Sequence, residues 1–264
     1  YIQNGANPII RNCTVHSNTE FGIRIANSSS PLVHNCTIRD NGVGGILTEG
    51  AFTAPMISSN EIYNNNQYGI LVQNGADPKI DNNTINMTTS QNYGIYCLGL
   101  NSKPDIRYNA LESHSWAGIF LDNGVNNVTI WNNTLRWNWW GVYLTSTTAN
   151  ITISNSWFVG QNNASIFLAG SDGCSILNNT FMWDSAFSVY VDPGAQIRDL
   201  LIRNNSFEGG GTGVRIEHAS RVRILKNQFD EPQMYGIQAI SDCDSTCVIQ
   251  WNNLTVESSS PVYV

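Results

Sequence analysis

The strongest constraint on this chain is a short phrase that returns every 23 to 25 residues: FGIRI at Phe21, YGILV at Tyr68, YGIYC at Tyr93, AGIFL at Ala117, WGVYL at Trp140, TGVRI at Thr212 and YGIQA at Tyr235. GGILT at Gly44, ASIFL at Ala164 and FSVYV at Phe187 fit the same frame. The anchor therefore runs through Gly22, Gly45, Gly69, Gly94, Gly118, Gly141, Ser165, Ser188, Gly213 and Gly236. One period governing all 264 residues points to stacked repeats rather than a domain closed around a single centre. Within each period a second phrase follows: CTV at Cys13, CTI at Cys36, NEI at Asn60, NTI at Asn83, NAL at Asn109, NTL at Asn133, NTF at Asn179, NSF at Asn205 and NQF at Asn227. Asn252 holds the same place near the end, and Ser156 replaces Asn once. Short alternating runs bounded by Gly, Asn, Asp and Pro, with no helical period, predict two or three strands per repeat.

Stacked turns place equivalent residues about 4.8 Å apart. The Asn column then becomes a ladder in which each amide bonds to the next coil and satisfies turn groups that would otherwise be buried unpaired. On these phrases the repeats resemble the right-handed parallel β-helix repeat of the pectin-lyase-like superfamily, over essentially the whole chain. The resemblance implies an all-β fold: a single parallel β-helix (β-solenoid) domain over 1–264, with about 11 coils of about 24 residues. It implies little about activity, because that fold carries lyases, hydrolases, epimerases, tailspikes, adhesins and surface-layer proteins.

In the GIxL phrase the first and third residues after the anchor are apolar and fill the core. The residue between them must face outward. That column reads Arg24, Leu47, Leu71, Tyr96, Phe120, Tyr143, Phe167, Tyr190, Arg215 and Gln238. Leu47 to Tyr190 predicts an outward apolar strip about 30 Å long, more than monomers usually leave bare. It is read as an association stripe. Three explanations stay open: self-covering by stacking and a loop, contact with another chain or another part of a longer one, and a glycan-stacking platform. Tyr1 falls in this column, and SPVYV puts Pro261 at the anchor and Tyr263 outward, so the chain reads as a segment of a longer protein or a head-to-tail polymer.

Other columns carry further candidates. N-x-[S/T] sequons at Asn12, Asn35, Asn82, Asn132, Asn178 and Asn204 precede the ladder position, and further copies lie at Asn27, Asn86, Asn127, Asn150, Asn163 and Asn253. They are N-glycosylation acceptors or a by-product of the NNT and NCT repeat. Cys13 and Cys36, neighbours in the ladder column, and Cys243 and Cys247 are candidate disulfides. Trp116, Trp137, Trp140 and Trp183 are candidate glycan-stacking residues. Asp192, Glu217 and His218 form the best acidic constellation, with Arg198, Arg203, Arg215, Arg221, Arg223 and Lys226 nearby. They read either as a retaining-glycosidase pair or as a solvated salt-bridge patch. The calcium-binding aspartate row, NTD, GHG and RIK elements, and the DPH element of the superfamily's enzymes are absent from the sequence. That weighs against an enzyme; if the chain is one, it is a polysaccharide lyase or glycoside hydrolase.

With 12% charged residues and a net charge of -7, nucleic acid is excluded as a partner. No apolar run approaches the roughly 18 residues of a membrane span, so membrane insertion is not expected. No metal or cofactor is implied by the cysteine spacing. The leading expectation is an extracellular or cell-surface structural or adhesive solenoid that self-associates or packs on a longer chain. The alternative is a carbohydrate-active β-helix that binds or cleaves a polysaccharide.

Overall fold

The computed structural model describes residues 1–86, 92–240 and 243–255, and the backbone of 260–263. The side chains of Pro261 and Tyr263, assigned above to the anchor and outward columns, lie outside the described residues. Each repeat contributes one strand to each of three parallel sheets, and each sheet has eleven strands. The first sheet runs from Ile9–Arg11 to Val248–Gln250, the second from Thr14–His16 to Asn253–Thr255, the third from Phe21–Ala26 to Ser260–Tyr263. A short extra pair, Ile197–Arg198 with Ala219–Ser220, widens the rod locally. Among the described residues no helix is long and apolar enough to cross a membrane.

Pairing is in register throughout, so a repeat position becomes a column. The central residue of each first-sheet strand points inward; in the middle coils these are Ile80, Ile106, Ile130, Ile153 and Ile176, all essentially fully buried. β-Branched side chains suit such a pleated, fully covered face. In the second sheet Phe158, Phe181, Phe207 and Phe229 form an internal stack, with ring centroids 5.0, 4.8 and 4.5 Å apart.

The corner between first and second sheets is left-handed in every coil, at φ between 51° and 57°, from Asn12 to Trp251. Asn tolerates this region best among residues with a Cβ, which accounts for Asn12, Asn35, Asn82, Asn132, Asn178 and Asn204. The six sequons thus fall on one exposed corner.

The next residue is the ladder. The Asn109 amide nitrogen and Nδ2 both donate to Asn133 Oδ1, at 2.9 and 3.1 Å, while Asn133 Nδ2 donates to Ile106 O at 3.0 Å. The pattern repeats at Asn60, Asn83, Asn179, Asn205 and Asn227. Ser156 keeps the chain of bonds intact by accepting from Asn133 N at 3.1 Å.

A second ladder, unforeseen from the sequence, follows the second sheet. It runs through Asn18, Asn41 and Asn65, and again through His114, Asn138, Gln161 and Asp184. The anchor glycines do not adopt positive φ; a Cβ there is excluded by the next coil's carbonyl together with this ladder at Gly22, Gly45, Gly94 and Gly118, or with a second-sheet core side chain at Gly69, Gly141 and Gly213. A Cβ on Gly22 would stand 2.8 Å from Asn41 Nδ2, and one on Gly94 would stand 2.9 Å from His114 Nε2 and 2.5 Å from Gly118 O. Where the ladder residue is Asp184, the anchors change to Ser165 and Ser188. Ser165 Oγ donates to Asp184 Oδ2 at 2.7 Å, and Ser188 donates as well.

Burial pushes the Asp184 carboxyl up to about 7, against the opposing bonds from Ser165, Ser188 and Gln161 N–H. It pushes His114 down to about 4, so that ring is neutral.

Two predictions follow from these ladders. Asn133→Ala strands the Asn109 donors and costs about 2–4 kcal/mol in urea unfolding, whereas Asn132→Gly, at the neighbouring left-handed corner, changes stability by less than about 1 kcal/mol. Because the folded state holds the Asp184 proton more tightly than the unfolded chain, stability declines as pH rises from the ordinary carboxylate range through about 7. The loss is at most about 4 kcal/mol, and Asp184→Asn removes that part of the slope when unfolding midpoints are compared across pH.

Candidate functional site: the outer face of the third sheet

The third-sheet register steps over the anchor: Phe21 pairs with Gly44 and Ile23 with Ile46. The anchor backbone therefore dips toward the core, and alternation is reset. Both the residue before the anchor and the second residue after it face outward. The second-after column is continuous in register through Leu47, Leu71, Tyr96, Phe120, Tyr143, Phe167 and Tyr190. The residue-before column supplies Phe21, Tyr68, Tyr93, Trp140 and Phe187, alternating in places with Gly44, Ala117 and Ala164.

The two columns interlock. Tyr93 lies 4.9 Å from Tyr96 and 5.2 Å from Phe120; Trp140 lies 4.9 Å from Tyr143 and 5.8 Å from Phe167. Phe120 stacks on Tyr143 at 4.7 Å, and Trp116 meets Trp140 edge-on at 4.9 Å. The small residues are seats for large neighbours, as the Phe21 ring over Gly44 shows. As a result Leu47, Leu71, Phe120 and Phe167 are only 5–9% exposed, though they face away from the core. The tyrosines remain half-buried, and Trp116 and Trp139, at 38% and 43%, are open rings at the edge of the layer, both edge-on to Trp140. The expected bare strip is thus a close-packed outer layer. The signal for its second column was present in the aromatic–Gly pairs at Tyr68, Tyr93 and Trp140, but strict alternation concealed it.

A polar column borders the layer. Ala26, Glu49, Gln73, Leu98 and Asp122 stand in register, and Thr145, Ala169, Asp192 and Glu217 occupy the equivalent position in later coils. Asp122 accepts from the Tyr96 hydroxyl at 3.0 Å and from Thr145 Oγ1 at 2.9 Å. Burial, then the Asp122 charge, raises the Tyr96 ionisation well above the ordinary phenol range. Tyr143 is raised by burial and by Asp192 and Asp122.

The remaining candidates are dispersed. Glu217 is nearly buried and accepts from Arg215 Nε at 2.9 Å and Nη2 at 2.5 Å. Asp192 Oδ1 accepts the Gly194 N–H within its own turn. His218 sits at a left-handed corner and lines a cleft of about 200 Å³ with Gln196, Ile197, Arg198, Ala219 and Ser220. Arg221 forms a forked pair with Asp199, while Lys226 lies over the Trp251 ring. Trp137 and Trp183 are 55% and 64% exposed on the second corner, away from the layer, each lying against the glycine at the equivalent position of the next repeat, Gly160 and Gly209. All six cysteines are free thiols. The Cys13 and Cys36 thiols lie side by side, as do those of Cys243 and Cys247; Cys13 and Cys36 also donate to backbone carbonyls of Arg11 and His34, and the Cys247 thiol donates to Ala219 O.

Comparison with known proteins adds the family. Residues 1–158 match the model for a right handed beta helix region, and residues 105–258 match that for the periplasmic copper-binding protein NosD. The donor set here does not fit a copper centre: among the described residues no three His, Cys, Asp or Glu side chains converge. His114 is buried with Nδ1 on Asn138, and the buried Cys174 thiol is bonded to Asp172 O. No curated protein sequence matches significantly. Among solved structures, the periplasmic alginate epimerase AlgG superposes with TM-score 0.71 at 14% identity, over 97% of this chain and 61% of that one. The catalytic unit of a GH87 alpha-1,3-glucanase from Streptomyces thermodiastaticus gives 0.64 at 11%, over 94% and 51%. The enzymatically active domain of bacteriophage CBA120 tailspike protein 2 gives 0.55 at 15%, over 82% and 41%. The chain spans about three fifths of the epimerase's length, and at these identities the likeness is one of fold. With its three in-register sheets and a family match over more than half its length, the chain belongs to the right-handed parallel β-helix proteins.

Proposed function

We propose that the protein binds a polysaccharide along the outer face of its third sheet, and that it works outside the cytoplasm, in the periplasm or beyond the cell. The observation that carries this reading is the interlocked aromatic layer from Tyr68 to Tyr190, edged by Asp122, Thr145 and Asp192. Pyranose rings present an apolar C–H face that packs on aromatic rings and a rim of hydroxyls that needs acceptors, and this face offers both along one line. Nearby folds point the same way by name, being an alginate epimerase, an alpha-1,3-glucanase and a tailspike, and one family match names a periplasmic protein.

The geometry favours binding over turnover. Glu217 is engaged by Arg215 and Asp122 by Tyr96 and Thr145, so neither carboxyl stands free to act as acid, base or nucleophile. The mutual covering of the stripe also removes the main reason to require a second protein chain on it.

Affinity electrophoresis through gels containing soluble polysaccharides tests the reading. Retardation by at least one glycan is expected, weakened about tenfold by Trp116→Ala, since an aromatic contact is worth about 1 kcal/mol or more. Trp251→Ala, on a remote corner, leaves it unchanged. Retardation indifferent to Trp116→Ala, or none with any glycan, refutes the proposed face.

A further inference from the structure

We infer that the glycan held by this face is uncharged rather than a polyuronate; the inference rests on the platform reading and adds the charge class of the ligand. It comes from an inventory of full charges. Of the 13 lysines and arginines in the chain, the outward columns of the third sheet contain Arg24 and Arg215 alone. Both are engaged: Arg24 Nε donates to Glu49 at 2.7 Å, and Arg215 grips Glu217. They stand at opposite ends of the aromatic layer.

Between them, among the described residues of these columns and their polar border, the full charges are all negative. Asp122 borders the centre of the layer, directly beside the Tyr96 hydroxyl. Asp192 lies close enough to disfavour ionisation of both Tyr143 and Tyr190. A carboxylate on a sugar laid over Phe120 and Tyr143 would meet two like charges and no free guanidinium, in a partly desolvated setting that strengthens the repulsion. Hydroxyls of a neutral sugar would instead donate to the same carboxylates in charge-assisted bonds.

The cations that a polyanion would need lie elsewhere on the rod. Arg203 and Arg223 project from the outer side of the first sheet, and Arg198 lines the cleft beside His218. In this respect the face is unsuited to alginate, the polymer named for the epimerase it resembles in fold.

The test compares the full chain in native gels containing, separately, a neutral β-glucan, α-glucan or mannan, and alginate or polygalacturonate, all at low ionic strength. Retardation by at least one neutral glycan, lost about tenfold on Trp116→Ala, with none by either polyuronate, is the expected result. Asp122→Lys with Asp192→Lys should gain polyuronate retardation while keeping the β-sheet circular dichroism. If the double variant does not fold, Asp192→Lys alone, in a half-exposed turn, serves the same purpose. Polyuronate retardation of the native chain that Trp116→Ala abolishes overturns the charge assignment and leaves the platform standing. No retardation by any glycan overturns both.

Discussion

The structure depends on satisfying the backbone at corners that stack directly on one another. A parallel strand pair satisfies itself, but a turn repeated along a rod buries its amides against the next identical turn, away from water. Here two columns of side-chain amides and their substitutes do what water would do elsewhere. Asn133 serves its own coil and the one before it at once, donating to Trp131 O in its own coil and bonding to Asn109 and Ile106 in the preceding one. Once the corners are tied in this way, coil-to-coil register is set, and every repeat position extends into a column.

That register produces the outer layer as well. Because Gly94 and Gly118 leave no room for a Cβ between the second ladder and the next coil's carbonyl, the strand dips inward at the anchor and turns two positions outward around it. The aromatic layer and the buried ladder are thus two sides of one backbone feature. Ser165 and Ser188 show the coupling most directly, since a carboxylate at Asp184 coincides with hydroxyl donors where glycine otherwise stands.

Much of this was legible in the sequence, for identifiable reasons. The Asn60 to Asn227 ladder was readable because one residue type recurs at one phase, and the outward position of Phe120 followed from strand alternation. The second ladder was not readable, because Asn41, His114, Gln161 and Asp184 satisfy the same geometry with different chemistry. Tyr93 and Trp140 were missed as outward residues because the kink at the anchor breaks the two-residue period. The degree to which Leu47 and Phe167 are covered could not be read from their own column, since the cover comes from the adjacent one. Trp137 and Trp183 do share a corner, as equal offsets suggested, but Trp116 and Trp140 belong to a different face.

The central functional claim is one of place, and a crystal structure of the protein with a bound neutral oligosaccharide tests it most directly. The account predicts sugar rings lying along Trp116, Phe120 and Tyr143, with hydroxyls directed at Asp122. Sugar seated instead on the Trp137 and Trp183 corner, or on the arginines of the first sheet, with the aromatic layer bare, would contradict it.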